Sequence, residues 1–359
     1  MTSLGPIFAD DLARVKPGDR LRLTISAQTS DAAALAQAAL EARARGERVL
    51  VVCADPADVP RLAQEMPWFE PNLDVRPLPD WETLPYDVLS PQEELVSERL
   101  EALYRLTAPT GGADVLLTSA VTASQRLSPV SYIGANTFFF HQGEQISLTT
   151  LQKRLAAAGY ANVKQVLAAG EFAVRGSIVD VFPMGSERPF RLDFFDDEIE
   201  SIRWFDVDTQ RSMESAEEIR LLPGHEFPVD PEALLAFRQR WRREFAGDPK
   251  KSIVYCDIEK EILPPGIEYY LPLFFDETAA LTDYLPPNAR VFLLGDIEAA
   301  LQAFGRDMAS RYKVLAADPQ RPALAPERIW LKPEEFFKSL ANFARFTVEK
   351  KENAEDLKR

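Results

Sequence analysis

The first third of the chain alternates between two kinds of hydrophobic pattern. Short apolar runs predict strands, which we place at Leu21–Ser26, Val49–Cys53, Val75–Leu78 and Asp114–Ser119. The intervening segments predict helices, with Ser30 or Asp31 as the first cap: Asp31–Arg45, Pro56–Met66, Pro91–Leu106 and Ala120–Arg126. Strands that alternate with helices are typical of a doubly wound α/β fold with a parallel sheet.

The pattern changes around Asn136. A helix at Leu148–Ala158 is followed by strands that Gly-Ser and Asp-Asp-Glu turns separate: Val163–Leu167, Glu171–Phe182, Arg188–Asp196 and Ile199–Asp206. This order predicts a small α+β domain with an antiparallel sheet. After Leu222-Pro223-Gly224 the α/β pattern returns, with helices at Pro231–Phe245 and Ile297–Arg311 and strands at Ser252–Asp257 and Arg290–Gly295.

The simplest topology is one α/β domain made from two chain segments, with the small α+β domain inserted between them. We place the first α/β segment at residues 1–136, the insert at 137–221 and the second α/β segment at 222–345. We assign residues 346–359 to a charged tail; from Glu349 the chain lacks periodicity, so we expect its last ten or so residues to be frayed.

Charge limits the partners that the whole chain suits. Lys and Arg total 41 and Asp and Glu total 56, which gives a formal net charge of −15 over 359 residues. Sequence-independent DNA binding relies on basic residues that neutralise phosphates, so the balance argues against it, although a local basic patch stays possible. The balance suits protein partners.

The cysteine, histidine and apolar content argues against a disulfide-bonded, zinc-binding, secreted or membrane-spanning protein. Cys53 and Cys256 are the only cysteines and lie in apolar runs, which predicts buried, reduced thiols and a cytoplasmic protein. The two histidines are far apart and give no zinc spacing, whereas a carboxylate-only metal site stays open. The start of the chain lacks the features of a signal peptide, and no apolar run is long enough to span a membrane.

The first strand-to-helix turn is where an α/β protein would bind a nucleotide phosphate. Residues 26–31 contain neither glycine nor lysine, and Gly-Lys occurs nowhere in the chain, so there is no Walker A motif. Asp31 would also repel phosphate. We therefore expect no nucleotide cofactor and no ATP hydrolysis.

The predicted hairpin around residue 195 offers two kinds of candidate chemistry. Five acidic residues cluster at its tip: Asp193, Asp196, Asp197, Glu198 and Glu200. They could bind a divalent cation or act as an acid–base pair. We favour the alternative, in which they are solvated side chains of a hairpin turn. Strand alternation puts Arg191 and Phe195 on a polar face, and Arg175 on the polar face of the preceding strand. An exposed aromatic beside arginine is typical of an interface hot spot, and the alternative is three unrelated surface side chains. On an exposed face, Arg191→Ala and Phe195→Ala should each leave the fold intact.

Three segments of this sequence resemble the bacterial transcription-repair coupling factors (the Mfd family). They are Leu78–Asp87 (LPDWETLPYD), Gly170–Pro183 (GEFAVRGSIVDVFP) and Arg191–Ile199 (RLDFFDDEI), and the resemblance covers roughly residues 21–340. The resemblance implies a UvrB-like module, in which an α/β domain in two pieces flanks an inserted domain that recruits the excision-repair protein UvrA. It also implies that the UvrA-binding residues are Arg175, Arg191 and Phe195.

The resemblance also implies what this chain does not do. The full family member continues into an RNA-polymerase-binding domain and an ATP-dependent DNA translocase, so we expect a fragment that contacts neither polymerase nor DNA through those parts. UvrB has an aromatic DNA-clamping hairpin after the segment that ends at Asp87, whereas here Ser90-Pro91 leads directly into a helix. The sequence thus favours a non-catalytic adaptor over the alternative, a residual UvrB-type ATPase or DNA-binding module.

Overall fold

A computed structural model of the protein describes residues 14–25, 30–108 and 112–350. The strands of its main sheet are β1 Arg20–Ile25, β2 Val49–Cys53, β3 Val75–Pro77, β4 Val115–Ser119, β13 Arg290–Leu294 and β14 Ala344–Lys350. They pair in parallel in the order β1-β14-β13-β2-β4-β3. β2, β4 and β13 are buried along their whole length, as expected when helices cover both faces of a sheet.

The main sheet combines strands from both ends of the chain. β13 and β14 follow the insert in sequence, yet both lie between β1 and β2. β14 pairs with β1 on one side and with β13 on the other, and in the described sheet it is the sole neighbour of β1. The predicted fold class, a doubly wound domain formed from two segments with an inserted domain, is confirmed.

Helices lie between the strands along the described chain. They are α1 Asp31–Ala44, α2 Asp58–Phe69, α3 Glu93–Thr107, α4 Ala120–Ser124, α5 Val130–Ala135, α6 Leu148–Ala157, α7 Pro231–Glu244, α8 Ile253–Glu259, α9 Ile297–Leu315, α10 Pro326–Ile329 and α11 Pro333–Ser339. Of these, α6 belongs to the insert. Short 3₁₀ turns lie at Pro249–Lys251, Ile267–Leu273 and Leu281–Tyr284. α1 begins where predicted, since the Ser30 hydroxyl accepts the Ala33 N–H at 3.4 Å. None of the described helices combines the length and the apolar composition that a membrane crossing requires.

The insert contains the remaining strands. They are β5 Phe138–His141, β6 Ala161–Asn162, β7 Glu171–Arg175, β8 Ile178–Val181, β9 Phe190–Phe195, β10 Glu198–Phe205, β11 Ser212–Ala216 and β12 Glu218–Leu221. β5 and β12 form a separate pair, and the others form one sheet in the order β11-β10-β9-β8-β7-β6. All neighbours from β7 to β11 are antiparallel, as the sequence predicted.

The insert shares its hydrophobic core with the main domain. Phe172, Val179 and Leu192 belong to the same buried cluster as Leu100 and Leu103 of α3. A second connection is polar: the guanidinium of Arg220, in β12, donates to the carboxylate of Glu101, in α3. The inserted sheet is therefore held firmly against α3.

The predicted strand at Ser252–Asp257 is wrong, because residues 253–259 form α8. The Ser252 hydroxyl caps this helix by accepting the Tyr255 N–H at 3.3 Å. Val254, Tyr255 and Ile258 are buried in one aromatic cluster with Trp241 of α7. β-branched residues favour strands locally, but packing of this helical face overrides that preference.

Three further predictions change inside and after the insert. Residues 163–167 form no strand; this loop folds over the sheet so that Val166 contacts the cluster of Ala173 and Phe205. The single run predicted at Glu171–Phe182 is a hairpin of β7 and β8, with Gly176 at φ 62° in its turn. Cys53 is buried, whereas Cys256 is partly exposed, with its thiol 3.4 Å from the Lys250 carbonyl oxygen.

The boundary of the predicted tail also moves. Residues 346–350 belong to β14, although the sequence predicts a charged tail from residue 346. Buried Phe346 and Val348 alternate with the more open Thr347 and Glu349, so the strand pattern continues past the predicted boundary. The remaining tail residues, 351–359, and residues 26–29 of the predicted phosphate turn lie outside the described residues.

Candidate protein-binding face of the inserted sheet

One face of the inserted sheet packs into the core and the other carries polar side chains. Strand pairing places Ala173, Asp180, Arg191 and Arg203 opposite one another across β7, β8, β9 and β10. Residues directly opposite in antiparallel strands lie on the same face. We call this surface the polar face, with the members Arg175, Asp180, Arg191, Asp193, Phe195 and Arg203.

Asp180 is the centre of the polar face and is fully buried. Its Oδ1 accepts the Arg191 Nε–H at 2.6 Å, and its Oδ2 accepts an Nη2–H of Arg191 at 3.0 Å. The same Oδ2 accepts a hydrogen bond from Nη2 of Arg175. One carboxylate therefore pairs with two guanidinium groups, which leaves one positive charge in excess.

Arg191 differs from the exposed side chain that the sequence predicted. Only 13% of its side chain is exposed, and its guanidinium carbon lies 4.9 Å from the centre of the Phe205 ring. Its Nη1 donates to the Gln210 carbonyl at 3.1 Å and to the Ser212 hydroxyl at 3.2 Å. The hydrogen bonds with Asp180 raise the pKa of Arg191 above its ordinary value. The expectation that Arg191 is an exposed side chain is therefore wrong, and we now predict that Arg191→Ala destabilises the fold, because the change would leave a buried carboxylate without its main partner.

Phe195 and Arg175 are open to solvent, as the alternation predicts. Phe195 is 68% exposed, and half of the Arg175 side chain is exposed. Phe195 is the last residue of β9, where Asp196 at φ 52° makes the tight turn into β10. The turn thus presents an aromatic ring at the edge of the polar face, where a partner can bury it.

Sequence reasoning missed Asp180 and Arg203. The apolar alternation fails at Ile178-Val179, and the local pattern alone determines neither the turn at Gly176 nor the register across the sheet. The available signal was a charged residue between apolar neighbours, Val179-Asp180-Val181, because a carboxylate in a buried strand needs a cationic partner. Arg203 is exposed and directly opposite Arg191.

The acidic side chains around the hairpin form hydrogen bonds with different partners instead of converging on one site. The Asp193 carboxylate accepts the Ser201 hydroxyl at 2.8 Å, and the Glu198 carboxylate accepts the Gln145 side-chain amide at 2.8 Å. In the part of the chain that the structure describes, no group of three or more acidic, histidine or cysteine side chains is arranged to hold a metal ion.

The start of α1 is the other place where the sequence located possible chemistry. Asp31 is the first residue of α1 and is buried, and its Oδ1 accepts the Ala32 N–H at 3.0 Å. The Arg61 guanidinium donates to both oxygens of the Asp31 carboxylate, from Nη1 at 3.0 Å and from Nη2 at 2.8 Å. Arg61 also pairs with Asp58 at 2.6 Å and with Glu65 at 3.0 Å. A carboxylate thus lies at the helix N-terminus, where a phosphate would otherwise bind.

Comparison with known proteins identifies similar sequences over most of the chain. Residues 138–227 match the family model of the UvrB interaction domain. The transcription-repair-coupling factor of Escherichia coli (strain K12) is 42% identical over 298 residues, which are 83% of this chain and 26% of that protein. The one from Haemophilus influenzae is 42% identical over 301 residues, again 83% of this chain and 26% of that protein.

A more distant relative gives a shorter match. The transcription-repair-coupling factor of Bacillus subtilis (strain 168) is 32% identical over 216 residues, which are 56% of this chain and 18% of that protein. The chain thus spans about a quarter of the length of the first two relatives. The resemblance inferred from the three sequence segments is confirmed.

Proposed function

Because 83% of this chain is similar to transcription-repair-coupling factors and residues 138–227 match the UvrB interaction domain, we propose that it is a UvrB-like adaptor module that recruits UvrA. The module binds its partner and performs no chemistry of its own. In this proposal residues 137–221 are the UvrA-binding domain, and the α/β segments on either side form the support that holds it.

The observation that carries the proposal is that Phe195 and Arg175 are both exposed on the polar face, inside the matched region. Aromatic and arginine side chains are enriched at protein interfaces, where a few residues carry most of the binding energy. Arg191 supports this surface from below, since its side chain is mostly enclosed. We assign contact with UvrA to Phe195 and Arg175 and a supporting role to Arg191.

The relatives also contain long parts that this chain does not match. We assign RNA-polymerase binding and ATP-driven movement on DNA to those parts. The alternative function, a residual UvrB-type ATPase or DNA-binding module, is disfavoured by Asp31, which holds a negative charge at the helix N-terminus that such an ATPase uses for phosphate.

A titration of UvrA against the purified chain tests the proposal. We expect saturable binding that Phe195→Ala weakens and that Trp68→Ala leaves unchanged, because Trp68 is 86% exposed on α2, outside the polar face. Circular dichroism of each variant confirms that the fold is kept. Absence of binding by the wild-type chain, or equal loss in both variants, would contradict the assigned surface.

A further inference from the structure

We propose that Asp180 is the positioning residue of the UvrA-binding face, holding the Arg175 guanidinium in the orientation that the partner recognises. This inference rests on the proposed function. Asp180 is fully buried and so touches no partner itself; it acts through the arginine that reaches the surface. The partner group that fits this arrangement is a carboxylate beside a pocket for an aromatic ring.

The two arginines around Asp180 have different surroundings. Each of the three side-chain nitrogens of Arg191 donates to an acceptor within the protein: Asp180, Gln210 or Ser212. Arg191 is therefore already satisfied and mostly enclosed. Its role is to fix the Asp180 carboxylate in one place by a two-point contact, which a single hydrogen bond would not do.

Arg175 has the complementary arrangement. Only its Nη2 donates to Asp180, and within the described part of the chain its Nε and Nη1 donate to no acceptor. The guanidinium is planar, so one fixed nitrogen restricts the direction of the others. Because Asp180 is neutralised by Arg191, the charge of Arg175 remains in excess on the surface. A carboxylate of the partner can then bind the free nitrogens in the plane that Asp180 has set.

The physical benefit is preorganisation. A long, exposed arginine loses rotamer freedom when it binds, and that loss opposes association. A hydrogen bond to a fixed internal carboxylate removes part of that freedom before the partner arrives. Phe195 has few rotamers and needs no such support, so the effect of Asp180 should pass through Arg175 alone.

A double-mutant cycle tests this route. Asp180→Asn keeps the shape of the side chain and removes its charge, and we expect UvrA affinity to fall about five- to tenfold. In combination with Arg175→Ala, it should cause no further loss, whereas in combination with Phe195→Ala the two losses should multiply. Asp31→Asn is the matched control: it is also a buried aspartate held by an arginine at two points, but it lies in the main domain, and it should change affinity less than about twofold.

The outcomes separate the inference from the proposed function. If Asp180→Asn weakens binding equally in the presence and in the absence of the Arg175 guanidinium, the effect is general and the positioning role is overturned. If the wild-type chain fails to bind UvrA, the proposed function is overturned instead, because the cycle needs a wild-type signal.

A second variant covers the case in which Asp180→Asn unfolds. Arg175→Lys lies on an exposed side chain, so it should fold normally. Lysine keeps the charge but lacks the planar fork that Asp180 orients, so affinity should fall nearly as far as with Arg175→Ala. Full affinity in Arg175→Lys would overturn the inference, because orientation would then be irrelevant.

Discussion

Two regions of this protein bury an aspartate against arginine, and they do so with opposite results. At the start of α1, Arg61 is surrounded by three carboxylates, those of Asp31, Asp58 and Glu65. On the polar face, the single carboxylate of Asp180 serves two arginines, Arg175 and Arg191. The local excess is negative in the first region and positive in the second.

The ratio of carboxylates to guanidinium groups, rather than the presence of an ion pair, determines the charge of the ligand that each region attracts. Negative excess at a helix N-terminus occupies the position where the helix dipole would favour a phosphate, and it repels phosphate. Positive excess beside an exposed aromatic attracts a carboxylate and offers apolar area for burial. Under the proposed function, the same chemistry closes a nucleotide-type site in the main sheet and builds the docking surface on the insert.

The largest effect should come from Arg191→Ala, which removes the two-point partner of a fully buried carboxylate. Breaking a buried ion pair costs about 3 kcal/mol or more, and Arg175 alone offers Asp180 only one hydrogen bond. Urea unfolding followed by circular dichroism measures the loss. Arg203→Ala is the control: it is exposed on the same row and should cost less than about 0.5 kcal/mol. Equal stability of the two variants would contradict the enclosed role of Arg191.

Phe195→Ala should separate binding from stability. Removal of a hot-spot aromatic lowers affinity for UvrA about 30-fold, or ~2 kcal/mol, while the free energy of unfolding stays nearly constant because the ring is 68% exposed. Calorimetric titration and thermal unfolding of the same samples measure both quantities. A large drop in melting temperature would mean that Phe195 stabilises the sheet instead.

Asp31→Asn should have a smaller effect, confined to the main domain. The change removes a negative charge at the start of α1 and one of three partners of Arg61, so we expect a loss of about 1 kcal/mol in the free energy of unfolding. UvrA affinity should remain that of the wild type. Weaker UvrA binding in this variant would contradict the claim that the α1 region and the polar face act independently.

Addition of ATP with Mg²⁺ should produce no effect at all on the wild-type chain. A ligand that binds only the folded state raises its stability, so a constant melting temperature at millimolar ATP means that the site is closed. Differential scanning fluorimetry measures this directly. A saturable rise in melting temperature would show that the α1 region still accepts a nucleotide.

The sequence predicted the buried strands of the main sheet because their apolar runs leave no alternative period. It also predicted that Arg175 and Phe195 are exposed, since strand alternation alone determines the face. It did not predict Asp180 as their support, because partners across strands depend on register, and the register depended on a turn at Gly176 that the local pattern left ambiguous. Residues 253–259 were mispredicted for a related reason: packing against α7 decided between helix and strand.

The position of β14 has a consequence for synthesis on the ribosome. The neighbour of β1 in the sheet, residues 344–350, is translated some 320 residues after β1. At roughly 5–20 residues per second, the edge of β1 stays unpaired for about 16 to 64 s. During that interval β1 lacks its only neighbour in the described sheet, and an unpaired strand edge favours association with other chains.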